Sequence, residues 1–135
     1  MHVPRNTATV LIATDDGRPL WPHCRVARTP GQRLRGLLGR PAPGAAEGLL
    51  LTRCRSVHSL LLRHPIDVLL LAGDGTVLRV VSPLAPWRAS GHPRARAVLE
   101  LAAGAAARAA VRPGMRLTAI THADGNPGGS RREKR

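Results

Sequence analysis

The stretch IDVLLLAGDGTVLRVV, residues 66–81, sets two Leu- and Val-rich runs on either side of Gly73-Asp74-Gly75. Turn residues between two such runs are a strong β-hairpin signal. Just upstream, SVHSLLLR (56–63) ends at His64-Pro65. Proline holds the residue before it in extended or turning backbone and has no N–H for a sheet ladder. Residues 63–65 therefore read as a corner between two strands. Four ionisable side chains, His58, Arg63, His64 and Asp67, interrupt this greasy run.

The flanking segments follow the same logic. TATVLIA (7–13) and LWPHCRVA (20–27) read as strands around the turn TDDG, with Pro22 making the second strand an edge or delaying its start. The clearest helix covers about 30–39. Thr29 caps it, Pro30 suits its first position, and Gln32 completes a capping box. Leu34, Leu37 and Leu38 form its apolar stripe, and Gly39 and Arg40 its end. EGLLL (47–51) reads as a buried strand, 82–97 as a long Pro- and Gly-bearing loop, and MRLTAI (115–120) as the last strand. Residues 94–112 admit two readings. Alanine content favours one helix; otherwise AVLELA is a strand, Gly104 a break, and about 105–111 a short helix stopped by Pro113. One compact α+β domain over residues 1–121 is expected, followed by a disordered basic tail at 122–135.

Composition narrows the chemistry. Phe and Tyr are absent, and only Trp21 and Trp87 are aromatic, so Leu, Val and Ala carry the core. The formal charge is +13, of which +11 resides in residues 1–121 and +2 in the tail. Such a balance suits nucleic acid, but the arginines are scattered and two tryptophans furnish no stacking platform. A solvated arginine-rich surface is the simpler account. No run of about eighteen apolar residues and no signal-peptide pattern occurs, so a cytoplasmic address without a transmembrane segment is expected. Cys24 and Cys54 are then free thiols.

RLRGLLGR (33–40), EGLLL (47–51), SVHSLLLRHPIDVLLLAGDGTVLRV (56–80) and VLELAAG (98–104) occur in an order and spacing that resemble domain-of-unknown-function family 192. The resemblance spans roughly residues 8–121. It implies an α+β domain whose mixed or antiparallel sheet curls into a barrel-like form, and it favours a strand at 98–102. It implies no activity. Some family genes lie near pilus-assembly genes, which suggests a link to pilus or envelope assembly. Leu38 stands where the family's Gly-Leu-Met-Gly-Arg element has Met, and Ser59, Leu62 and His64 also depart from its pattern. Met115 stands where the family has Asp.

The candidate site is a mouth lined by His58, Arg63, Asp67, Glu100 and Arg40, where a small ligand or protein would bind. Asp67 begins a strand and can instead accept freed backbone N–H groups, with Arg63, Arg40 and Arg55 as other partners. Glu100, between Leu99 and Leu101, faces either solvent or an interior pocket. Metal ligation by His23, Cys24, Cys54 and His58 is disfavoured, because neighbours on a strand point to opposite faces. No catalytic residue, metal or cofactor is assigned. The leading expectation is a non-catalytic binding or accessory domain. The alternatives are a nucleic-acid-associated protein using its arginines, and a hydrolase or metal enzyme centred on Cys54, His58 and Asp67.

Overall fold

Ile66–Leu71 is buried at every position, as an apolar run must be when it is covered on both faces. It forms β5 at the heart of the molecule. The computed structural model describes residues 1–29, 43–58, 64–85 and 88–122, with the side chain of residue 58 excepted. The other strands are β1 (Thr9–Thr14), β2 (Pro19–Ala27), β3 (Glu47–Thr52), β4 (Ser56–His58), β6 (Val77–Leu84), β7 (Ala89–Gly91), β8 (Ala97–Ala102) and β9 (Leu117–Thr121). A single turn of helix, α1, spans Ala105–Arg108.

Seven strands form one sheet in the order β6-β5-β8-β3-β2-β1-β9, and β4 and β7 pair separately. Among the described residues, only β2 and β3 are parallel. A parallel pair needs a long crossover, here residues 28–46. One face of the sheet carries Val10, Ile12, Trp21, Cys24, Leu50, Leu69, Leu99, Leu101 and the alanines of α1. The other carries Leu49, Leu51, Val57, Ile66, Val68, Leu70, Leu84 and Val98.

Several expectations are corrected. The described residues are not α+β: 52% of them are in strands and 5% in helix. The helix expected at 30–39 lies outside the described residues, as does the tail from residue 123. The second helix, expected at 105–111, shortens to the one turn of α1. Alanine-rich 97–102 is strand because it sits between β3 and β5 with both ladders filled, which overrides alanine's helical preference. The loop at 82–97 holds the end of β6 and all of β7. Nor is β2 an edge, since it pairs β1 and β3. Pro22 is accommodated at a bulge, where Val10 faces Cys24 but Ile12 faces Trp21.

The barrel-like closure is also corrected. Among the described residues, the edge strands β6 and β9 meet at one corner, through the Thr76–Arg116 bridge. There Val77 N–H donates to Met115 O at 2.7 Å and Leu117 N–H to Gly75 O at 2.9 Å. Gly75 belongs to the tight turn joining β5 to β6, at φ 91°, where a Cβ would sit 2.1 Å from Leu117 O. Gly17 has a similar φ of 93° with nothing within 4 Å. Gly17→Ala should therefore cost about 1–2 kcal/mol from left-handed backbone alone. Gly75→Ala should cost clearly more, by breaking the corner. Paired urea titrations that gave equal losses would remove this corner from the stability argument.

Candidate functional site

Strand register decides which expected residues meet. On the antiparallel pair β5–β8, Asp67 faces Leu101 and Val68 faces Glu100. Directly opposed residues share a face and neighbours alternate, so Asp67 and Glu100 lie on opposite sides of the sheet. Arg63 and Arg40 lie outside the described residues. His58 belongs to β4, where its backbone pairs with Ala89. The structure thus does not bring Asp67 and Glu100 to one mouth.

Asp67 is fully buried and its carboxylate is used. Oδ1 accepts the Ser82 hydroxyl at 2.7 Å, and Oδ2 accepts the backbone N–H of Ala106 at 2.9 Å. It therefore ties β6 and α1 to the central strand. This is the acceptor role for freed backbone N–H groups, with Ala106 and Ser82 as partners. Glu100, 5% exposed, lies beside Leu49 and Val68 and has no hydrogen-bond or ion-pair partner among the described residues. Burial pushes its carboxyl up to about 7.

The thiols are equally separated. Cys54 packs on the Val57–Val68 side of the sheet, opposite Asp67, and donates to Ser56 O at 2.9 Å. Cys24 is buried in the other layer, where desolvation raises its thiol to about 12. It is an inert core residue. His23 stacks on His122 with ring centroids 5.9 Å apart. Among the described residues no three His, Cys, Asp or Glu side chains are placed to share a metal ion. Both ring nitrogens of His64 are buried without a partner among the described residues.

A sizeable concavity lies elsewhere. Because β2 and β3 are parallel while β8 opposes β3 and β5, the ends of β2, β3 and β5 and the start of β8 share one edge of the sheet. Arg28, Arg53 and Arg96 sit at those strand ends and, with Arg5, line a cavity of about 490 Å³. Thr29, Thr52 and His2 add to its polar wall, and no acidic residue among the described residues lines it. The Arg28 guanidinium donates to the carbonyls of Thr7 and Pro4, which fixes the N-terminal segment as one wall. Arg96 donates from Nη1 to Ala95 O at 2.9 Å. Arg53 adopts φ 54°, the left-handed region. The side chains of Arg5 and Arg53 have no hydrogen-bond or ion-pair partner among the described residues. A smaller recess of about 230 Å³, between Arg53, Cys54, Arg55 and Arg96, adjoins it. Sequence reasoning missed this cluster because its arginines are far apart in the chain. Their shared signal is a position at strand ends.

Two buried acids give two checks. Asp67→Ala strands the Ser82 and Ala106 donors and should destabilise by about 1–3 kcal/mol in denaturant unfolding. For Glu100, the folded carboxyl titrates near 7 against 4.5 in its ordinary state. The folded form then binds more protons between these values, so this group's contribution to stability falls as pH rises from 4.5 through 7 and is flat above. The full loss is about 3 kcal/mol. Glu100→Gln should remove that slope and gain most over the parent at pH 8. A parent–variant difference that is constant with pH would rule out titration of Glu100 in the fold.

Comparison with known proteins places the chain. No curated protein sequence matches it. A solved protein of unknown function from Novosphingobium aromaticivorans is similar at TM-score 0.71 and 23% identity, over 87% of this chain and 91% of its own. A second, from Sinorhizobium meliloti and named a "putative transcription regulator", is similar at TM-score 0.70 and 29% identity, over 88% and 98%. The first likeness is one of fold. No helix among the described residues is long and apolar enough to cross a membrane. The family model for DUF192, described as "Uncharacterized ACR", matches residues 11–119, and the chain belongs to that family.

Proposed function

We propose that this domain is a non-catalytic binding module that takes a small anionic ligand at the arginine-lined cavity. The observation that carries this reading is a recess with four arginines and, among the described residues, no acid on its wall. Uncompensated positive charge in a concavity focuses field and raises the local concentration of anions. The acids of residues 1–121 are engaged elsewhere or remote. Asp67 is bonded, Glu100 is buried on the other layer, Asp74 pairs with Arg116 at 3.5 Å, and Glu47 accepts the Gly44 N–H at 2.7 Å. Asp16 takes the Thr14 hydroxyl, and Asp15 lines a separate recess beside Arg18. Against a hydrolase stands the separation of Cys54 from Asp67 by the thickness of the sheet.

The name carried by the Sinorhizobium meliloti neighbour favours a second reading, nucleic-acid association through the arginines. The two differ in what they require. A backbone tracker needs many phosphate contacts along a surface and loses affinity steeply with salt. A pocket binder needs two or three guanidinium groups converging on one head group.

Melting curves in the presence of inorganic phosphate, small organic carboxylates and organic phosphates test the first reading. A ligand at about one hundred times its Kd adds about 2.7 kcal/mol, a rise of several degrees. The rise should vanish in an Arg53→Asn/Arg96→Ala variant that keeps its own melting temperature. Short single-stranded DNA bound tightly at physiological salt, with no anion giving an arginine-dependent rise, would replace the pocket by the second reading.

A further inference from the structure

We infer that the ligand of this cavity is an amphiphilic organic anion, a carboxylate or phosphoryl head on an apolar stem. The inference rests on the binding-module reading and adds the ligand's chemical class to it.

Size is the first reason. A water occupies about 30 Å³ of liquid, and a site built for a bare oxyanion encloses only a few times that. This cavity holds about 490 Å³, inside the roughly 300–1,000 Å³ range of organic-ligand sites. An inorganic anion on the arginines would leave most of it filled with water.

Polarity is the second. The cavity is graded, not uniformly basic. Its walls include the half-buried Met1, Val3 and Ala72, with the core residues Leu50 and Ala97 behind them. Met1 and Val3 also pack against the main hydrophobic cluster. The apolar part of the recess is therefore an exposed margin of the core, and water there has few polar partners. A stem that replaced it would gain the usual apolar burial energy. The charged part is the rim, where Arg53 and Arg5 carry donors that no described residue uses, and Arg96 keeps donors beyond the Nη1 group given to Ala95 O and Pro93 O. A guanidinium fork matches carboxylate and phosphate alike, so both heads share one chemistry. Arg28 has a different task. Its bonds to Pro4 and Thr7 hold the apolar wall against the sheet.

Calorimetric titration of the full chain with octyl phosphate, butyl phosphate, octanoate, octanol and inorganic phosphate, all below micelle-forming concentrations, tests this. Affinity should rise about two- to fourfold per methylene from butyl to octyl phosphate. Octanol and inorganic phosphate should bind at least tenfold more weakly than octyl phosphate. Comparing octyl phosphate with octanoate tells which head is preferred. Arg53→Asn, which keeps a residue suited to the left-handed backbone, should weaken every anion tenfold or more. Val3→Ser should flatten the chain-length dependence and leave inorganic phosphate unchanged. Inorganic phosphate binding as tightly as octyl phosphate, in an Arg53-dependent way, would overturn the amphiphile and keep the anion site. Octanol binding as tightly as octyl phosphate would overturn the charged head. Arginine-dependent binding of none of the anions would overturn both this inference and the reading beneath it.

Discussion

Strands β5, β8 and β3 lie side by side with nearly every residue buried, and each therefore faces two apolar layers instead of one layer and water. A polar side chain in such a strand has no solvent to turn to. It must find a partner in whichever layer its register assigns it. Asp67 finds the Ser82 hydroxyl and the Ala106 N–H; Glu100, one position out of phase on the neighbouring strand, finds none among the described residues. The same alternation that packs the leucines thus makes one acid a structural tie and leaves the other an acid that burial biases towards its neutral form.

That constraint also sorts the arginines. With the strand interiors closed to charge, a chain carrying twenty arginines must place them at exposed positions, at strand ends or in turns. Ends of strands remote in sequence converge wherever parallel and antiparallel pairings are mixed. The single parallel pair, β2–β3, brings Arg28 and Arg53 to one edge, and the antiparallel β8 delivers Arg96 to the same place. Charge scattered along the chain is thereby concentrated in space. Because so little of the acid is nearby, that concentration is not neutralised.

The legible parts of the sequence were the local ones. Apolar runs at 47–51 and 66–71 and the Gly-Asp-Gly turn announce β3, β5 and the hairpin without help from the rest of the chain. Residues 97–102 were ambiguous because alanine's helical propensity competes with a strand fixed only by neighbours on both sides. The candidate mouth grouped residues by nearness to Pro65 in the chain. Which face Asp67 and Glu100 present depends on pairing between β5 and β8, a relation across more than thirty residues that no local pattern encodes. The cavity was illegible for the same reason, since Arg28, Arg53 and Arg96 become neighbours only through topology.

The span of the family match divides the cavity in a telling way. Residues 11–119 include Arg28, Arg53 and Arg96, whereas Met1, Val3 and Arg5 lie before it. The arginines at the strand ends and the apolar Leu50, Ala72 and Ala97 are held by the sheet, while Met1, Val3 and Arg5 belong to a segment that Arg28 fastens through Pro4 and Thr7. The cavity would then rest on two different physical supports. The first is the sheet itself, through the ends of β2, β3 and β5 and the start of β8. The second is secured by the Arg28 bonds and by Met1 and Val3 packed on the core, and it adds no rung to any ladder of the sheet.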